Sequence, residues 1–125
     1  MRRLPLEREA AKTVQWRARW LAAMRWRRRV EKALAQSGLT FTQWQVLDAT
    51  AVLVVETGDA VSQNQVSERT QLDRNTVSQV MRTLEQKRLV SRGPCCIGTS
   101  WRVFQTERAV SVLNALRGAV EAASE

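Results

Sequence analysis

The chain has no histidine and no tyrosine, and of its 125 residues only two are cysteine, two proline and five glycine. Each shortage closes a class of function. Without histidine, the side chain most used as a general base and as a metal ligand is missing. No Gly-rich phosphate loop and no carboxylate pair in a cleft-like setting takes its place, so nothing nominates a base or a nucleophile except the cysteines, and the chain is not expected to be an enzyme. Two cysteines do not describe a disulfide-stapled secreted domain. The longest apolar run, "AVLVV" at 51–55, is far too short to span a bilayer. The arginines near the start are not followed by the continuous apolar segment of a signal peptide. The expected compartment is the cytoplasm, with no membrane partner.

What is present is apolar residues, at 44%, and a formal charge of +8. The first is enough for one compact domain with a real core. The charge is unevenly placed. Residues 1–36 hold 11 Lys/Arg against 3 acids and residues 73–105 hold 6 against 2, while 37–72 hold 1 against 4 and the last twenty hold 2 against 3. Two separate basic segments on a small protein point to a polyanion, nucleic acid ahead of membrane.

Three stretches share a helix-start signature. In "LTFTQW", "VSQNQV" and "LDRNTV" the cap is Thr40, Ser62 or Asp73, whose side-chain oxygen can accept from the free amides of the first turn. Leu39 with Trp44, Val61 with Val66 and Leu72 with Val77 form the hydrophobic staples, and Gln43 and Gln65 complete capping boxes in the first two. The spacing predicts a helix from Phe41 to Val55, stopped by Gly58, although the β-branched tail "AVLVVE" also suits a strand. A short helix follows from Gln63 to Thr70, then the three residues "QLD", then a longer helix from Arg74 to Lys87. Two helices joined by so short a turn make a helix-turn-helix. On the second, Val77, Val80, Met81 and Leu84 share one face, with Arg74, Asn75, Ser78, Gln79 and Arg82 mostly on the other.

Beyond Arg88 the period becomes two: "LVSR" and "SWRVFQ" flank "GPCCIGT" and predict a β-hairpin. Thr106 then caps a last helix in which Val110, Leu113, Leu116 and Val120 recur at three- and four-residue steps. The first 36 residues read as one long helix from Glu9 to Gln36. Trp16, Trp20, Ala23, Val30 and Leu34 fall in one stripe, with Arg27 among them. A buried stripe does not tolerate an unpaired arginine, so the helix is expected to bend there, or Arg27 to meet an acid from another segment or subunit. The simplest reading is a helix whose stripe docks on a partner; an Arg/Trp helix lying on an anionic membrane is the alternative.

This order of helix, helix-turn-helix, two-stranded wing and helix resembles the MarR family of bacterial transcription regulators. The residues that carry the resemblance are "LTFTQWQVL" at 39–47, "VSQNQVSERTQLDRNTVSQVMRTLEQKRLVSR" at 61–92 and "VFQT" at 103–106, roughly half of the chain. The resemblance implies a mainly α fold with a small β-hairpin, in the order α-α-α-α-β-β-α. Residues 1–36 would be an N-terminal dimerisation helix, 37–105 the winged DNA-binding region and 106–125 a C-terminal dimerisation helix, all in one compact domain. It further implies a homodimer on a pseudo-palindromic operator, a repressor by function, with Arg74 to Arg82 in the major groove of double-stranded DNA and the wing at the adjacent minor groove. The dimer contacts would be Trp16, Trp20, Val30 and Leu34 with Val110, Leu113, Leu116 and Val120. A winged-helix module that binds protein is the competing reading.

The chain also departs from the family. Gln71 stands where the turn usually has Gly, and Arg88 where Gly often follows the recognition helix. The wing lacks the usual Asp-x-Arg pair, and Arg92 and Arg102 are the substitutes suggested here. Arg74 suits a guanine edge or a phosphate, and the amides of Asn75 and Gln79 suit adenine. Thr76, Ser78 and Arg82 are expected at phosphates or in mixed contacts, and Gln63 and Gln65 at the backbone. Trp16, Trp20 and Trp44 either pack in the core or line an effector pocket between the DNA-binding and dimer regions; the effector itself is not specified. Cys95 and Cys96 are small residues of a wing tip, a redox-sensitive pair, or a two-thiolate site for a soft metal ion. A tetrahedral zinc site is not expected from two thiolates with no histidine, and no other cofactor is implied.

Overall fold

The computed structural model describes residues 5–58, 61–94 and 101–124. The elements run α1 (Pro5–Ala35), α2 (Phe41–Thr57), β1 (Val61–Ser62), α3 (Gln63–Thr70), α4 (Arg74–Gln86), β2 (Val90–Pro94), β3 (Trp101–Gln105) and α5 (Glu107–Ala123). The mainly α winged-helix order is as expected, with one strand more.

The starts of α2, α3, α4 and α5 are closed by the caps their sequences offer. Thr40 Oγ1 accepts from Gln43 N at 3.2 Å while Gln43 Oε1 accepts from Thr40 N at 3.1 Å, and Ser62 and Gln65 repeat the arrangement. Asp73, without a box, accepts from Asn75 N. Together these caps satisfy amides that a helix leaves without internal partners. The "AVLVVE" tail is helical and ends where Gly58, at φ +69°, donates to Val54 O at 2.8 Å. α1 begins four residues before Glu9, because Pro5 is tolerated in a first turn, where its missing N–H has no partner to lose.

β1 was not foreseen. It is two residues long and overlaps the cap of α3, so no alternation announces it. It forms only because β3 comes back to it across forty residues: Val61 pairs with Val103 and Ser62 with Arg102. The sheet order is β1-β3-β2, all antiparallel.

The core lies where α1, α2, α4 and the sheet converge. Val30, Leu34, Val46, Leu47, Val61, Val66, Val77, Met81, Leu84 and Val103 are all fully buried. At about 1.5–3 kcal/mol for each fully buried aliphatic side chain, these residues dominate the stability of the body. Thr50, also fully buried, satisfies its hydroxyl by donating to Val46 O at 2.8 Å. Thr106 joins three elements. Its N–H donates to Leu89 O, its hydroxyl donates to Arg88 O, and its oxygen caps α5 by accepting from Ala109 N. The end of α5 is tied to α1, with Arg29 Nε donating to Ala123 O and Trp26 Nε1 to Ser124 Oγ, both at 2.9 Å.

Arg27 resolves differently from either expectation. Its partner is Glu31 of the same helix, one turn on, at 2.8 Å, and the guanidinium sits 4.7 Å from the centre of the Phe41 ring. An i,i+4 pair neutralises the charge locally, so no acid from another segment is needed. Trp16 and Trp20 are 59% and 55% exposed and belong neither to the core nor to the cleft between α2 and α5.

Candidate nucleic-acid interface

The α3–α4 turn is held by its own side chains. Ser67 Oγ donates to Leu72 O at 2.6 Å, and Thr70 Oγ1 donates to Val66 O while accepting from Leu72 N. Gln71 takes the left-handed conformation, φ 59°, that Gly would adopt without strain, and its amide donates to Glu68 O at 2.7 Å. The helix-turn-helix thus keeps its geometry with a non-glycine corner, at a local conformational cost.

α4 divides into the two faces read from its sequence. Val77, Met81 and Leu84 are fully buried, Val80 packs against that cluster, and Arg74, Asn75, Gln79 and Arg82 are exposed. Thr76 and Ser78 are half-buried at the edges of that face. Two guanidiniums, two amides and two hydroxyls therefore stand on one rigid helix whose opposite side is locked into the core. Its N-terminal end presents the positive pole of the helix dipole, which favours an approaching phosphate. The far end is anchored by Lys87 Nζ, which donates to Gly38 O at 2.9 Å.

Gln63, Arg92 and Arg102 are placed less simply. The Arg92 side chain is 11% exposed. Its guanidinium points inward from β2, donating to Gln63 Oε1 at 3.1 Å and to Glu85 Oε1 at 3.3 Å. Gln63 is itself buried. These three residues brace the wing against α3 and α4. Glu85 was not among the residues singled out in the sequence, because a contact from the end of a helix to the third residue of a strand follows no single period. Arg102 faces outward on β3, 5.8 Å from the Phe104 ring centre. Gln65 is exposed but committed to its capping box through Oε1, which leaves its NH2 group for a partner. Cys95 and Cys96 lie outside the described residues. Among the described residues, no group of three or more His, Cys, Asp or Glu could hold a metal ion, and no helix is long and apolar enough to cross a membrane.

A second concave feature lies away from this face, between α2 and α5. It is a cleft of about 540 Å3 lined by Trp44, Val52, Val55, Leu113 and Val120 together with Asp48, Glu56, Arg117 and Glu121. Burial pushes the Asp48 carboxyl above the ordinary aspartate range, and the positive charge of Arg117 partly opposes that. Asp48 and Arg117 are too far apart in sequence for any local pattern to associate them. Of the predicted dimer contacts, Leu116 is buried in its own chain, Leu113 and Val120 are half-buried on the cleft wall, and Val110 is exposed.

Residues 37–95 match the model of the MarR family. The uncharacterized HTH-type transcriptional regulator YdcH of Bacillus subtilis (strain 168) is 36% identical over 73 residues, covering 58% of this chain and 49% of that protein. The chain thus spans about half the length of that relative. Among solved structures, CouR from Rhodococcus jostii RHA1 bound to p-coumaroyl-CoA superposes with a TM-score of 0.71 at 24% identity, covering 89% of this chain and 74% of CouR. The complex of Staphylococcus aureus MepR with DNA superposes with a TM-score of 0.70 at 21% identity, covering 85% and 74%. At these identities the two structures establish the fold. The matched family and the Bacillus relative are transcription regulators, not enzymes.

Proposed function

We propose that this chain, whose residues 37–95 match the MarR family, is a repressor that binds a pseudo-palindromic operator as a homodimer. The observation that carries the reading is α4: a face of Arg74, Asn75, Gln79 and Arg82, exposed and polar, is backed by a fully buried face and held in a helix-turn-helix. Such a helix presents to the major groove the donors and acceptors that distinguish base pairs. Arg74 and the two amides are assigned to base edges, Arg82, Thr76 and Ser78 to phosphates, and Gln65 to the backbone through its NH2 group. Arg102 is the wing residue assigned to DNA. Arg92 and Gln63 act by holding the wing in place. Two-fold symmetry would set the two α4 helices about one DNA turn apart, roughly 34 Å.

Selection from a random duplex library is the test. Enrichment of a palindrome is the expected result, and failure to enrich any sequence would favour a protein-binding module instead. On the selected site, affinity should fall steeply with salt as Lys and Arg displace counterions. Arg74→Ala should weaken operator binding by about 1–3 kcal/mol and binding to random DNA by less. Equal losses would reduce Arg74 to a phosphate contact.

A further inference from the structure

The polar face of α4 carries an acid. The charged residues of the helix are Arg74, Arg82 and Glu85. At 3.6 residues per turn, Glu85 falls within about 20° of both Arg74 and Ser78 around the axis, so it continues the face assigned to DNA toward the C-terminal end. A carboxylate on that face opposes the approach of phosphates. Its oxygen Oε1 lies 3.3 Å from the guanidinium of Arg92.

The pleat of the sheet brings Arg92 to that carboxylate. Val61, Val103 and Arg92 form one row across β1, β3 and β2, and directly opposed residues of antiparallel strands share a face. Val61 and Val103 are fully buried, so the row carries Arg92 inward with them. There Gln63 Oε1 accepts from Nη1 and Glu85 Oε1 from Nη2. Arg102 and Phe104, opposite Gly93 and Ser91, belong to the other face.

We propose that Arg92 is a positioning residue that acts through Glu85: by neutralising that carboxylate, it lets α4 present a cationic face to DNA only while the wing is docked. The proposal rests on the DNA-binding reading above and names the pair that couples its two parts. With Arg92 in place, Glu85 is cancelled and α4 keeps the charges of Arg74 and Arg82. Without it, Glu85 offsets one of those two arginines. The guanidinium, 11% exposed, is committed to Gln63 and Glu85 rather than offered to a phosphate. Glu85 is itself 43% exposed, so the pair adds little to folding, where water and salt screen it. Its weight falls on binding, because the phosphates approach the side on which Glu85 is open. When β2 leaves the body Arg92 leaves with it, so wing docking and the affinity of α4 rise and fall together.

The test is the Kd for the selected operator at low and high salt, measured for the unaltered chain, Arg92→Ala, Glu85→Gln and the double variant. Arg92→Ala is expected to lose on the order of tenfold at low salt and distinctly less at high salt, where repulsion by Glu85 is screened. Glu85→Gln alone should bind at least as tightly as the unaltered chain. The double variant should return to within about threefold of it, a non-additivity that marks two residues acting as one unit. A double variant as weak as Arg92→Ala would overturn the proposal, since a phosphate contact or a purely mechanical brace is not restored by removing an acid. A tenfold loss in Glu85→Gln alone would also overturn it, making the carboxylate a direct base contact. Far-UV circular dichroism checks each fold. If Arg92→Ala does not fold, Arg92→Gln keeps a polar side chain in place without the charge, and the same loss and the same rescue by Glu85→Gln are expected. All of these outcomes leave the DNA-binding reading standing. Failure of the unaltered chain to bind any duplex would end that reading and this one together.

Discussion

The two halves of α1 form one helix in two environments. From Trp26 onward it is part of the body: Val30 and Leu34 are fully buried, Trp26 meets Phe41 edge-on at 5.7 Å, and Arg29 binds the end of α5. From Glu7 to Arg25 the same helix has side chains that are almost all exposed, including two tryptophans. Composition does not explain the difference, since both halves mix tryptophan, arginine and alanine. What separates them is whether another element of the same chain lies opposite the apolar stripe. Amphipathic patterning shows that a helix face seeks cover; it does not say whose.

Two substitutions test that contrast, and a third sets its scale against a backbone position outside α1. The largest effect is expected for Leu34→Ala, which removes a fully buried side chain from the body and should destabilise it by about 2–5 kcal/mol in urea unfolding. A loss below 1 kcal/mol would mean that the body relaxes around α1 and that the two halves are less different than they look. Next is Arg88→Gly, which releases a left-handed residue at φ 60° just after α4. The relief of about 1–2 kcal/mol is partly offset by the greater freedom glycine gives the unfolded chain, about 0.4–1 kcal/mol. The net expectation is a gain of about 0.5–1 kcal/mol, seen as a higher urea midpoint at unchanged slope. The smallest effect is expected for Trp16→Ala. Although it deletes a larger side chain than Leu34→Ala, it should change the stability of the isolated chain by less than about 0.5 kcal/mol. That comparison belongs at protein concentrations low enough to keep the chains apart. Under the proposed homodimer the deficit should grow as concentration rises, because association then adds to stability; a large deficit at all concentrations would place Trp16 inside its own body.

Much of the fold was legible because its signals are local. The caps at Thr40, Ser62, Asp73 and Thr106, the stop at Gly58 and the two faces of α4 each depend on residues within four positions of one another. The candidate interface was legible for the same reason, since Arg74, Asn75, Gln79 and Arg82 needed only helical periodicity to be gathered on one side. Features that join distant segments were missed or assigned differently. β1 exists through its pairing with Val103 and Arg102. As a substitute for the missing Asp-x-Arg pair Arg92 is expected at DNA, but the partners that draw it inward, Gln63 and Glu85, sit on two other elements. Arg27 is the reverse case, where an available local pair with Glu31 made a distant one unnecessary.

By itself, then, the sequence determined where α2 to α5 begin, which side of α4 is polar, and that no histidine-based chemistry is available. Those properties follow from hydrogen-bonding and periodicity over a single turn, which a short segment carries wherever it lies. Tertiary structure alone decided which charges turn inward, which cleft forms between α2 and α5, and which half of α1 finds cover. Each of these depends on surfaces meeting across tens of residues, where burial and the need to pair polar groups outweigh what any neighbouring residue specifies.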